Sequence, residues 1–547
     1  MEDIAKRIQR VVYDLYAISI KDMSLSRPDS RFGDIACNDA LQLAREVHKN
    51  PRDIAEEIAQ KLREYDDFTE VSVAGPGFIN IRLADQAIRR MVISTPRSAR
   101  TGEPVVIETN NPNPFKAMHI GHAFNSIIAD TIANLLENDG ALVHRVSYHG
   151  DVGTHVGKSM YSLLRYCGGA PEKLDEIPAQ ERNSFMRRMY AEGWVAYNED
   201  AAAKEEIARL SQQSFTLDDP IFAKIYTTCK QWSFDEIDKV MRRIGNQPIE
   251  RRYLESEADA KGVPIVCSHV PDVFMKSDGA LVFPGSRYGS FDNVFVNSRG
   301  QGLYGARDLG LMLLKNEDFH PKKSYIVTAE EQRDYFKGVI KAAELCMPEL
   351  AGVTVNIPTG TVKLTTGKMS SRNGEVVEIA WLFDQMADAI RTRGAEPTEM
   401  IIAGAMRYQF LRVKIGSDVV FDVHDSVSIT GNSGPYLQYA HARARSILRK
   451  ATTTARDDQA ALDESERHLA LKMTEYSDCI AEASRLLQPH IVCTYLYELA
   501  QAFNRFYEKS RIIGDDRQDI RLVLVEQYAN ILQQGLQALG IEAPEQL

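Results

Sequence analysis

The stretch Glu108–Gly121, E-T-N-N-P-N-P-F-K-A-M-H-I-G, constrains the fold of this chain more than any other. Pro104-Val105-Val106-Ile107 before it is a short apolar, β-branched run, the pattern of a parallel strand buried on both faces. An Asn- and Pro-rich turn follows, and from Ala123 the residues Ile127, Ile128, Ile132, Leu135 and Leu136 recur at helical spacing. Asp139-Gly140 marks the helix end, and Ala141 to Val146 reads as the next strand. A β-loop-α-β unit of this kind holds its loop and helix start at the carboxyl end of the strand, where open α/β sheets bind ligands. Free N–H groups at the helix start attract anions, Gly121 permits close approach, and His119, His122 and Lys116 add donors and charge. Taken alone, the pattern also describes a helical turn carrying two surface histidines.

At 547 residues the chain is long enough for three or four domains. Residues 1 to about 90 read as a small α/β unit: Asn50-Pro51 opens a helix through Leu62, and Val71-Ser72-Val73 and Phe78 to Ile81 form a hairpin about Gly75-Pro76-Gly77. Ser147 to Gly157, S-Y-H-G-D-V-G-T-H-V-G, is a second Gly-rich loop at a strand end and should line the same crevice. From about 159 to 261 the chain is helical and charged and reads as an insertion, and 264 to 300 reads as strands and turns. The nucleotide-type fold resumes at Leu303 to Asp308. A helix, the strand Ser324 to Thr328, the acidic turn Ala329 to Gln332 and another helix follow. Tyr304, Asp308 and Gln332 thereby stand at the mouth of the sheet, although Asp308 near a helix start is also read as a cap.

Lys368-Met369-Ser370-Ser371-Arg372 is a Gly-flanked basic loop of the kind that clamps phosphates. From about Ile415 the chain becomes all helical, with segments at 436–449, 469–487, 491–511 and 520–539 and a polar linker at 451–465. His441, Arg443, Arg445 and Arg449 place cations at helical spacings near aromatic residues that serve either as core or as an RNA-stacking face. The net charge of −11 argues against indiscriminate coating of nucleic acid but allows a local basic face. Seven scattered cysteines without a C-x-x-C pair support neither a disulfide framework nor a zinc site. No apolar run has transmembrane length and the N-terminus lacks a signal-peptide pattern, so a cytoplasmic protein is expected.

H-I-G-H at 119–122 followed by K-M-S-S-R at 368–372, on two halves of a split nucleotide fold, resembles the class I aminoacyl-tRNA synthetases. The block 108–122, the spacings Tyr304-x-x-x-Asp308 and Gln332-x-x-Tyr335-Phe336, and the segments G-N-S-G-P-Y-L-Q-Y-A-H-A-R and F-N-R-F-Y-E resemble the arginyl-tRNA synthetase family over essentially the whole chain. The resemblance implies a Rossmann-like catalytic domain with insertions at 91–414, a tRNA-contacting α/β domain at 1–90 and an all-α anticodon-binding domain at 415–547. It implies activation of arginine with ATP and transfer to the terminal adenosine of its tRNA, with Mg²⁺ accompanying ATP, no tightly bound metal, and a monomer. Asn111, Pro112, Asn113 and Gln332 would hold the amino and carboxylate groups of arginine, with His122 close by. Tyr304, Asp308 and Glu255 would meet its guanidinium, which demands planar acceptors. Lys116, His119, Gly121, His122, Lys368, Met369, Ser370, Ser371 and Arg372 would meet ATP. Tyr436, Gln438, Tyr439, Arg443, Arg445 and Arg449 would contact tRNA.

The chain departs from the family pattern in three places. Ser371 replaces the second lysine of the signature loop, a loss the family often shows together with a lysine at the position of Lys116; Tyr335 replaces a usual histidine; and H-G-D-V-G replaces N-D-x-G. Two other readings compete: a tRNA-binding relative without catalysis, and a tRNA-independent nucleotidyltransferase, which would have no use for the helical C-terminal part.

Overall fold

The structure is a computed structural model that describes residues 1–21, 23–93, 98–365, 377–451 and 460–547. Its centre is a five-stranded sheet in the order 354–359, 323–329, 104–108, 142–149 and 251–254, every neighbouring pair being parallel. Val105, Val106 and Ile107 are fully buried, which is why this strand reads as an unbroken apolar run rather than an alternating one. The helix Ile120–Asn138 covers the sheet, with Ile127, Ile128, Ile132, Leu135 and Leu136 among its buried residues. Asp139 follows it, and Gly140 takes a positive φ of 91° where a side chain would strike Ser98. The next strand continues to His149, beyond the expected Val146.

The chain leaves the strand Pro104–Glu108 toward one neighbour and returns to its other side as the strand Lys323–Ala329. Adjacent strands whose connections depart in opposite directions leave a crevice at their carboxyl ends. The expected helical segment at 159–261 is made of the helices Thr154–Cys167, Arg182–Glu199, Ala201–Thr216 and Pro220–Arg243, around a core of their own that includes Val156, Met160, Ile207, Phe222 and Ile225. One correction applies to that segment. Arg251–Leu254 within it is the edge strand of the central sheet, and Glu255 opens the helix that follows, so both belong to the nucleotide-type fold. A four-residue strand with two arginines carries no apolar run by which to recognise it.

The N-terminal unit is a four-stranded antiparallel sheet with helices, including the expected hairpin 68–74 and 78–83 and the helix Pro51–Leu62, capped by the Asn50 side chain on the Arg52 amide. The helix Glu2–Tyr16, absent from the sequence reading, also belongs to it. The C-terminal part is helical, and the single helix expected at 469–487 is two, Glu464–Met473 and Tyr476–Leu486. Arg467 joins the two ends of the chain, with one guanidinium nitrogen 2.6 Å from Asp85 and another 2.6 Å from Asp34.

Arg407, on the helix Glu399–Leu411, is fully buried and makes five hydrogen bonds at 2.8–3.1 Å. It donates to Asp130 and Thr131 of the helix Ile120–Asn138, to Ile244 O and Asn246 at the exit of the insertion, and to Leu539 O after the last helix. Gly540 stands against it because an added Cβ would lie 2.2 Å from the guanidinium. Replacing Arg407 by Met leaves buried Asp130 with Arg145, at 3.4 Å, as its remaining cation and orphans Ile244 O and Leu539 O, and is expected to cost about 3 kcal/mol. A clear fall in the urea midpoint checks this, and an unchanged midpoint contradicts it.

Candidate active site

The loop Thr109–Met118 links the central strand to the helix of H-I-G-H, and its side chains are held from three directions. Asn111 donates to Glu108 at 2.7 Å and accepts from the Tyr148 amide at 2.9 Å, while Asn113 accepts from the Gly150 amide at 2.8 Å. Phe115 is buried in the core of the insertion, stacked on Tyr226, and takes a left-handed φ of 65° that a non-glycine residue adopts only when its surroundings impose it. The backbone beyond is paired with the second half of the fold: the Ile120 amide donates to Val377 O and the Ile379 amide to Met118 O.

His149 explains the H-G-D-V-G departure. Its ring is fully buried and its Nδ1–H donates to Pro112 O, fixing the turn of the loop. Asp151, also buried, accepts from the Ser256 amide and hydroxyl and from Tyr226, so it caps the helix that begins at Glu255 and ties that helix to the insertion. His155 Nε2–H donates to Gly150 O at 2.7 Å.

His119 and His122 stack with ring centroids 3.6 Å apart. The His119 amide donates to His122 Nδ1 at 3.2 Å, which leaves the proton of the His122 imidazole on Nε2. Burial first, then the charges of His119 and Lys116, push His122 down to about 3, and burial also lowers His119. Both rings are therefore neutral near pH 7. Among the described residues His119 Nδ1 is buried without a partner, as are Thr109 Oγ1 and Asn110 Oδ1 on the adjoining loop. Gly121 stands against the His119 ring, 3.1 Å from an added Cβ. Lys116 lies on the same side, with its ammonium 5.9 Å from the centre of the Tyr190 ring.

A cleft of about 470 Å³ opens between the carboxyl ends of 104–108 and 323–329. Its lining brings together Asn111, Pro112, His122, Glu255, Tyr304, Asp308 and Gln332 from the sequence reading, and adds Glu108, Tyr148, Thr328 and Tyr335. Asp308 is not a cap: it lies inside the helix Tyr304–Phe319, whose cap position is Leu303. Four carboxylates line the cleft: Glu331 is exposed to solvent, and three, Glu108, Glu255 and Asp308, lie deeper. Glu108 is buried and paired with Lys315 at 2.8 Å, and Glu255 is paired with Arg307 at 2.8 Å. Asp308 has no cation among the described residues; it accepts from the Tyr335 hydroxyl at 2.5 Å, and burial next to Glu108 and Glu255 pushes it up to about 7. The cleft floor thus presents one carboxylate in want of a cation. Tyr304, 69% exposed, stands at the mouth.

Glu255, expected to meet the guanidinium of arginine, lines the cleft and is paired with the guanidinium of Arg307, which Asp259 shares at 3.2 Å. Lys315 escaped the sequence reading, and Glu108, His149 and Arg307 lay in stretches it singled out without their partners being legible, because nothing in spacing distinguishes a buried partner from a solvated group. Lys368, Met369, Ser370, Ser371 and Arg372 lie outside the described residues.

The proposed tRNA residues divide. Gln438 is fully buried and donates to Met400 O and Glu542 O, so it anchors the chain terminus and has no surface to offer. Arg445 is engaged with Asn530, Gln533 and Glu545, and Arg449 with Glu545 and its carbonyl. Tyr436 is half-buried against Tyr497. Tyr439 is exposed, and Arg443 lies 4.1 Å over the ring of Tyr507, itself exposed, which makes a cationic and aromatic surface.

A parallel sheet with its cleft at the point where strand order reverses, and H-x-G-H at the start of the adjoining helix, defines a class I nucleotide-binding catalytic fold. The family model for the class I (R) tRNA synthetase catalytic domain matches residues 88–422, and the chain belongs to this arginyl-tRNA synthetase family. Residues 2–83 match the arginyl-tRNA synthetase N-terminal domain, and 437–547 the DALR anticodon-binding domain. The chain is 30% identical to an arginine–tRNA ligase of Frankia casuarinae over 560 residues, covering 95% of this chain and 94% of that one. It is 28% identical to an arginine–tRNA ligase of Bdellovibrio bacteriovorus over 561 residues, covering 95% and 93%. In structure it is similar to the arginyl-tRNA synthetase of Thermus thermophilus, with a TM-score of 0.81 at 22% identity and complete coverage of both chains. The arginyl-tRNA synthetase of Plasmodium falciparum gives 0.80 at 19% identity, covering 100% and 99%. Among the described residues no helix is long and apolar enough to cross a membrane.

Buried imidazoles give this site an acid sensitivity. Burial holds His149 down to about 3 in the folded chain, against an ordinary value of 6.5 when unfolded. Below about pH 6.5 the unfolded chain therefore binds a proton that the folded chain refuses, so stability falls as pH falls, by about 1.4 kcal/mol per pH unit for this one residue. His122 and His155, the latter held to about 4 by burial, act in the same direction. Urea midpoints between pH 7 and pH 5 should decline steadily; a flat series would mean that these rings accept protons in the native state.

Proposed function

We propose that this chain is an arginine–tRNA ligase whose arginine is chosen at Asp308. The carboxylate of arginine attacks the α-phosphorus of ATP and releases diphosphate. The acyl group of the arginyl-adenylate then passes to the terminal adenosine of tRNA, releasing AMP. The observation that carries the pocket assignment is the cleft floor, where Glu108 and Glu255 already have cations and Asp308 has none among the described residues. A guanidinium supplies the missing charge and offers five donors in a fixed fork.

In this reading Tyr304 closes over the guanidinium from the mouth of the cleft. Asn111, Pro112, Asn113, Gln332 and His122 surround the amino and carboxylate groups. His119, Gly121 and His122 receive ATP at the helix start, and Lys116 acts on the phosphates together with Lys368 and the residues Met369 to Arg372. Mg²⁺ enters with ATP as part of that substrate. We take 1–90 as a tRNA-contacting domain, 91–414 as the catalytic domain and 415–547 as the anticodon-binding domain, although the pairing of Val362–Leu364 with Val419–Phe421 carries the catalytic body past 414. We take the protein to act as a monomer and place the reaction in the cytoplasm, where tRNA is charged.

Asp308→Asn keeps the shape and removes the charge. The loss of one partner from a desolvated ion pair is expected to cost about 3–5 kcal/mol, a fall of several-hundred-fold or more in kcat/KM for arginine in tRNA charging. A fall of less than tenfold would remove Asp308 from the pocket.

For tRNA, the surface at Tyr439, Arg443 and Tyr507 is the stronger candidate, because Arg445 and Arg449 are occupied by the chain terminus. Arg443→Ala should weaken tRNA binding and reduce the salt slope by about one phosphate contact. Unchanged affinity and slope would place the RNA on another face.

A further inference from the structure

Tyr335 stands where the family usually carries a histidine, on the helix Arg333–Cys346 that follows the acidic turn. Its ring lines the cleft and packs edge-on against Phe336, with centroids 5.2 Å apart, and its hydroxyl lies 2.5 Å from Asp308 Oδ2. We propose that Tyr335 is a positioning residue of the arginine pocket: its phenol holds one oxygen of Asp308, keeps the carboxylate an anion, and so turns the other oxygen to the substrate's guanidinium in one orientation. This deepens the function proposed above and rests on it.

The surroundings of Asp308 show why such a donor is needed. Glu108 faces it from the end of the central strand, Glu255 from the start of the following helix, and burial adds to both in favouring the neutral acid. Lys315, from the same helix as Asp308, acts the other way but is committed to Glu108 at 2.8 Å. Arg307, on the neighbouring position, is committed to Glu255 and Asp259. Tyr148 on the strand 142–149 contributes no donor to Asp308, and Tyr304 points from the mouth of the cleft. The Tyr335 hydroxyl is therefore the one hydrogen-bond donor to the Asp308 side chain among the described residues. With Asp308 pushed up to about 7, the carboxylate stands near mid-titration at neutral pH, where a single donor decides which form prevails.

The test is tRNA charging by the full chain at saturating ATP and tRNA, with kcat/KM for arginine measured from pH 6 to 8.5. Asp308 must be ionised in the free enzyme to receive a cation, so the acid limb of that profile reports it. Tyr335→Phe removes the donor and keeps the ring. A hydrogen bond to a charged group is worth about one pH unit, so the limb should move up by about that amount, lowering kcat/KM roughly fivefold at pH 7. The loss should fall on KM rather than kcat, because bound arginine itself holds the carboxylate as an anion. Tyr335→His, which restores an N–H donor, should bring the limb back toward the wild-type position. Tyr335→Met, a second variant without a donor, answers the same question if the phenylalanine variant is recovered unfolded. An unmoved limb, or a loss equal at every pH, overturns the proposal, since simple packing damage has no pH dependence. Asp308→Asn separates the two levels: if it loses arginine while the Tyr335→Phe limb is unmoved, only the role of Tyr335 fails. If Asp308→Asn uses arginine as well as the wild type, the pocket reading fails and this proposal fails with it.

Discussion

The buried pair of Arg407 and Asp130 sets the geometry on which the catalytic body depends. Two charges this far from water are tolerable only with every donor satisfied, and Arg407 spends all five on three separate parts of the chain. Through Asp130 and Thr131 it holds the helix whose N-terminus carries His119 and His122. Through Ile244 and Asn246 it fixes where the insertion rejoins the sheet, and through Leu539 it holds the end of the C-terminal helices. Asp130 reaches further, accepting from the Gln247 amide just before the edge strand that leads to Glu255. Displacement of the C-terminal part would therefore break one hydrogen bond, accepted by Leu539 O, from the same guanidinium that steadies the helix beginning after His119.

The cleft follows a comparable logic of subtraction. An acidic floor would bind any cation, but Glu108 and Glu255 each have a resident partner, and what remains is one carboxylate with one fixed donor. Arg307 does not line the cleft, but its guanidinium holds Glu255, which does, so one acidic position is already taken from within the chain. Its pairing with Glu255 lowers the negative field at the cleft floor, where Asp308 is left without a cation among the described residues.

Much of the frame was legible from the sequence because it depends on local rules. The strand 104–108, the H-I-G-H helix, the hairpin about Gly75 to Gly77 and the Asn50-Pro51 cap all follow from periodicity and capping chemistry. Tyr304, Asp308 and Gln332 could be placed at the cleft because strand, turn and helix succeed one another there. What stayed hidden depends on partners distant in sequence. Arg251–Leu254 becomes a strand only because the strand 142–149 has an open edge, and Gln438 is indistinguishable in sequence from an exposed glutamine until Glu542 closes over it. Arg445 and Arg449 read as a basic face for RNA, yet a glutamate near the chain end, Glu545, claims both. Periodicity reveals which face a residue occupies, and it carries no information about what arrives to cover that face.

The two signature histidines show how neutral groups can serve a charged reaction. Near pH 7 neither ring is charged, since burial and the nearby ammonium of Lys116 disfavour imidazolium. The His119 amide occupies His122 Nδ1 and leaves an N–H on the far side of the ring, so His122 acts as a fixed dipole rather than a charge. A neutral donor can approach both a carboxylate and a phosphate without binding either ground state tightly, and its orientation is set before substrate arrives. In the proposed reaction, net positive charge comes from residues that follow the phosphates as they separate, and Lys116 is a cation close enough to act on both rings. In that proposed reaction the division is between rigid neutral donors that align the reacting atoms and cationic side chains that answer the charge as it develops.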